Sequence, residues 1–130
     1  MKYFMNTTIE EKSFDEAIEL VTEKLKAEGF GVLSDIDVTS TLKKKIDVDF
    51  KPYRILGACN PTFAHKALKA EDKIGVMLPC NVVVEQNEDG SVEVSAVDPM
   101  ASMSAVDNDQ LGELASEVKN KLARVIQSLN

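Results

Sequence analysis

Apolar and polar positions alternate along the chain in two different periods, and the switches between them mark out its elements. Residues 2–10 are rich in aromatic and β-branched types and read as a first strand. Ser13 and Glu16 then form a capping box, after which Phe14, Ala17, Ile18, Val21 and Leu25 recur at helical spacing until Gly29 stops the helix. Residues 31–37 read as a second strand that offers Val32, Leu33 and Ile36 to a core. Thr39 or Ser40 caps a short helix with Val38, Leu42 and Ile46 on one face, and residues 47–52 lead out of it as a loop.

The second half is more sharply punctuated. Residues 53–58 form a strand that Cys59 closes; Asn60 suits an N-cap and Pro61 the first helical position, opening a helix through Ala64, Ala67 and Leu68. The short apolar run 74–78 reads as a strand of its own, and Pro79 restricts entry into the strand at 81–86. Val82 to Glu85 and Val92 to Ala96 flank Asn87-Glu88-Asp89-Gly90, the pattern of an antiparallel hairpin. Leu111, Leu114, Ala115, Val118, Leu122, Val125, Ile126 and Leu129 keep to one helical stripe, with Asp107 and Gln110 as its capping box. At ~1.5 Å per residue such a helix runs roughly 33 Å, enough to cross a small sheet.

Strands and helices are mixed rather than strictly alternating. The class is therefore α+β, a mainly antiparallel sheet with two long helices packed on one face, in β-α-β…β-β-α order. The hairpin sets the start of the 81–86 strand beside the end of the 92–96 strand. If the 53–58 strand pairs antiparallel with the 81–86 strand, Cys59, Cys80 and Asp98-Pro99-Met100 meet at one rim.

Length and charge narrow the function. A chain of 130 residues is one domain, spanning 1–130, with no internal repeat or linker. A formal charge of -7, with Lys43-Lys44-Lys45 the one basic run, argues against a nucleic-acid partner. No window reaches the ~20 apolar residues of a membrane span, and Tyr3-Phe4-Met5 is too short for a signal-peptide core. A cytoplasmic setting is expected, with the two cysteines reduced.

Five residues at the rim are candidate ligand contacts: Cys59, Asn60, Cys80, Asn81 and Asp98. The helix opening at Pro61 directs partial positive charge toward Cys59. Cys59 and Cys80 with Met100 and Met103 form a sulfur set of the kind that selects Cu(I), with Zn(II) as the other metal to consider. Against this, the 20-residue gap between the cysteines matches no metal-binding spacing, and buried cysteines often serve simply as small apolar residues. Asn60, Asn81 and Asp98 are equally suited to capping and turns. His65, the only histidine, lies more than a turn into its helix, which makes a Cys-His nucleophile pair awkward. No catalytic constellation or phosphate-cradling glycine loop is present in the sequence.

The run Tyr53-Arg54-Ile55-Leu56-Gly57-Ala58-Cys59-Asn60-Pro61, followed by Ala64, Ala67-Leu68, Gly75, Leu78-Pro79-Cys80-Asn81-Val82-Val83-Val84-Glu85, Asp89-Gly90 and Asp98-Pro99, resembles the DUF302 family of domains of unknown function. The resemblance extends from the first strand to the last helix. It implies a compact α+β domain and a homodimer, and it carries over no catalytic residue. The Leu-Pro and Asp-Pro positions are the family's more general pattern, whereas the two Cys-Asn pairs resemble the form of one branch. The expected function is a non-enzymatic domain that binds or senses a small ligand or soft metal at the Cys59, Cys80 and Asp98 rim. A thiol redox enzyme or sensor using Cys59 and Cys80, and a purely structural or interaction domain, are the alternatives.

Overall fold

In the computed structural model, which describes residues 2–130, both long amphipathic segments are helical and the β-rich segments join one antiparallel sheet. The chain runs β1 (Phe4–Ile9), α1 (Phe14–Ala27), β2 (Gly31–Asp37), α2 (Val38–Ile46), β3 (Tyr53–Cys59), α3 (Pro61–Ala70), a 3-10 helix (Asp72–Met77), β4 (Cys80–Gln86), β5 (Val92–Val97), α4 (Pro99–Ser102) and α5 (Asp109–Gln127). The five strands are ordered β1-β5-β4-β3-β2. The first strand thus pairs with the last, and the hairpin strands lie at the centre.

Local chemistry sets most of the boundaries. The Ser13 hydroxyl accepts from Glu16 N–H while the Glu16 carboxylate accepts from Ser13 N–H, the reciprocal box expected from the sequence. Gly29 takes a φ of 87°, and a β-carbon there would stand 3.0 Å from Asn60 Nδ2, so both backbone and space call for glycine. Four local readings need correction. Of the β2 residues expected in the core only Val32 packs there, while Leu33 and Ile36 are largely exposed. The cap of α2 is Asp37, whose carboxylate accepts from Ser40 N–H, rather than Thr39 or Ser40. The cap of α5 is Asn108, accepting from Gln110 N–H, rather than Asp107. The run 74–78 is not a strand: residues 72–77 coil as the 3-10 helix and bury Ile74.

Buried residues alternate along β4 and β5, and β3 adds Leu56 and Ala58 to the same face. Leu56 and Ala58 of β3, Cys80, Val82 and Val84 of β4, and Val92, Val94 and Ala96 of β5 form one apolar face. Ala17, Val21 and Leu25 of α1 and Leu122, Val125 and Ile126 of α5 complete this core. A second, smaller cluster joins Ala67 of α3, Ile74 and Leu111 of α5, with Met103 packed against it. The two clusters place α3 and the 3-10 helix beyond the end of the sheet.

Candidate functional site between the strand ends and two helices

Strand register brings the candidate stretches together. Ala58 pairs with Cys80 across β3 and β4, and Val82 pairs with Ala96 across β4 and β5. The last residue of β3, the first of β4 and the corner after β5 therefore lie at one end of the sheet. Helix α3 departs from this end and α5 packs against it, leaving a cavity of about 350 Å³.

Strand ends supply Cys59, Asn60 and Cys80 to its wall; α3 supplies Phe63, Ala64 and Ala67; α5 supplies Leu114, Ala115 and Val118. Leu78, Pro79, Pro99 and Met103 close the remaining sides. Leu33 and Leu68, also in the wall, are 72% and 43% exposed, so they stand at its mouth. Ala64 and Ala67 explain much of the space, because small side chains on the inward side of α3 cannot fill the gap to α5. The polar side chains in this wall are the Asn60 amide and the two thiols.

Asn60 is fixed by its role as N-cap: its Oδ1 accepts from Phe63 N–H at 3.4 Å. Both cysteines are free thiols. Burial in apolar surroundings pushes the Cys80 thiol up to about 11, and the nearby Cys59 adds to the shift. Cys80 is accordingly a neutral thiol at neutral pH.

The other sequence candidates lie outside the cavity. Asp98 is buried, but it caps α4 by accepting from Met100 N–H at 2.9 Å and pairs with Lys119 of α5 at 2.9 Å. It braces the corner whose Pro99 reaches the wall. Asn81 alternates to the opposite sheet face, where it shares a groove with Tyr3, Phe4 and Tyr53. Met103 is in the wall, whereas Met100 is outside it and 43% exposed. His65 is exposed and lines no part of the cavity. Among the described residues, no group of three or more His, Cys, Asp or Glu side chains is placed to hold a metal ion.

Phe63, Leu114 and Val118 were not legible as wall residues. The stripe that holds Leu114 and Val118 predicts only a buried helix face, Phe63 lies outside the apolar positions read for α3, and the way α3 and α5 meet decides whether such a face packs tightly or encloses space.

The family described as domain of unknown function DUF302 matches residues 5–129. The crystal structure of an uncharacterized conserved protein DUF302 from Bacillus stearothermophilus has the same fold: TM-score 0.91 and 30% identity, covering 100% of each chain. No curated protein matches the chain at a significant level.

Proposed function

The chain belongs to the DUF302 family, and we propose that it is a non-enzymatic binding domain whose ligand is a small, mainly apolar molecule held between α3 and α5. One observation carries this reading: a cavity of about 350 Å³, the size of a small-molecule site, has an almost wholly apolar wall and an apolar mouth. Asn60 and the two thiols give a ligand its polar contacts. Asp98 and Asn81, first grouped with them, serve the corner and the opposite sheet face instead.

The test uses N-phenyl-1-naphthylamine, a neutral apolar fluorophore. Its emission should rise saturably with the native protein, and Ala64→Trp, which places an indole in the half-buried wall of α3, should abolish the rise. Equal binding by both proteins refutes the site.

A soft-metal reading is favoured by one further fact, the presence of Cys59, Cys80 and Met103 sulfurs in the same wall. It predicts Cu(I) or Zn(II) binding near one equivalent per chain or per dimer, lost in Cys80→Ser; unchanged affinity in that variant ends it. Thiol redox chemistry at Cys80 is disfavoured, because burial keeps this sulfur protonated.

The homodimer and the cytoplasmic setting belong to the same proposal. Two free thiols suit a reducing compartment. No helix of the described residues is long and apolar enough to cross a membrane.

A further inference from the structure

The chain is acidic overall, with a formal charge of -7, yet two cations gather on one residue of the cavity wall. Phe63 lines the cavity, and two ammonium groups stand over its ring: Lys66 of α3 at 5.6 Å from the centroid and Lys121 of α5 at 6.0 Å. They converge on one aromatic side chain from the two helices that enclose the space. Among the described residues, neither lysine belongs to an ion pair. Glu28, the carboxylate that feels the charge of Lys121, is already held by Arg124 at 2.9 Å. Lys119, the other nearby cation of α5, is occupied by Asp98.

Resting on the reading of the cavity as a ligand site, we infer that its ligand is an amphiphile with an anionic head, specifically a free fatty carboxylate of medium length. The apolar wall takes the chain, and Lys66 and Lys121 exchange the Phe63 ring for the carboxylate at the Phe63 edge of the cavity. Their long stems allow this while staying packed on apolar surface. At roughly 30 Å³ per heavy atom, the share of a water molecule in the liquid, the cavity holds on the order of a dozen heavy atoms. Decanoate is of that size.

The test displaces N-phenyl-1-naphthylamine from the full chain with decanoate, 1-decanol and decylamine, in the native protein and in Lys66→Gln/Lys121→Gln. Both lysines are on the helix surface, so the double variant should fold. Decanoate should bind the native protein about five- to ten-fold more tightly than the double variant, as expected for two partly exposed ion pairs, while decanol shows no difference. Decylamine should displace the fluorophore less well than decanoate. If decanol competes but decanoate is indifferent to the two substitutions, or decylamine competes equally, the anionic head is wrong and the apolar site stands. If neither decanol nor decanoate competes, the site itself falls, and this assignment with it.

Discussion

A thiol with 8% of its surface exposed ionises only if something other than water stabilises the anion, and the surroundings of Cys80 are apolar. Unfolding returns that thiol to water, where it ionises near its ordinary value. Between that value and about 11 the unfolded chain has lost a proton that the folded chain keeps, so this group's effect on stability becomes less favourable as pH rises through the window. A gap of about two pH units corresponds to about 3 kcal/mol once both states have ionised, and by pH 11, where the folded thiol is half ionised, about 2 kcal/mol of it has been lost. Urea titrations near pH 8 and near pH 11 should therefore show the native protein losing about that much more stability than Cys80→Ala, the comparison that cancels other titrating groups. Equal losses would mean that the thiol is not held neutral. Gly57 is constrained by sterics instead. A β-carbon there would stand 2.2 Å from Ser34 Oγ and 2.8 Å from Pro79 Cγ, and although the hydroxyl can rotate away, the ring cannot. Gly57→Ala should cost about 1–3 kcal/mol, read from the denaturant midpoint, and adding Ser34→Ala should recover only part of it.

Among the elements, α3 joins stability to binding through one side chain. Asn60 caps the helix and faces the cavity, so Asn60→Ala should destabilise by about 1 kcal/mol in chemical denaturation. Asn60→Asp keeps a capping oxygen and sets a negative charge at the positive end of the helix, so stability should hold. The same charge faces the proposed carboxylate ligand, so decanoate should compete less well with the fluorophore while decanol is unaffected. Unchanged decanoate competition in a folded Asn60→Asp protein would contradict that placement. The cap at Asn60 was legible because Asn-Pro ahead of an apolar-periodic run states a helix start in consecutive residues. Asp37 was missed for the converse reason: it ends a strand and caps the next helix at once, and Thr39 and Ser40 immediately after it offer the same chemistry. The run 74–78 misled because a short apolar stretch has no period; what decides its shape is Ile74 packing with Ala67 and Leu111, contacts invisible to any local window.

For the molecule as a whole, the hairpin made the pairing of β4 with β5 legible, and with it the meeting of Cys80 and the Asp98-Pro99 corner; Cys59 joins them through the β3–β4 pairing, which the sequence left as a condition. The pairing of β1 with β5 was not legible, since nothing local links a first strand to a last one. Nor was the cavity, which depends on how two helices meet. One consequence of the sheet order bears on assembly. With the core on the face that packs α1 and α5, alternation sends Ile55, Val83 and Val97 to the other face, beside Phe4 and Tyr53. Ile55 and Val83 are paired neighbours across β3 and β4, and Ile36 extends the row on β2 while 49% exposed. An apolar row of this kind is a suitable surface for the proposed homodimer, because a two-fold contact sets the same patch against itself. Val83→Lys places a charge in the middle of that row without touching the buried core. Light scattering at micromolar concentration should give a dimeric mass for the native protein and a monomeric mass for the variant, with circular dichroism unchanged between them. A monomeric native protein would remove the dimer, and a dimeric Val83→Lys protein would move the contact to another surface.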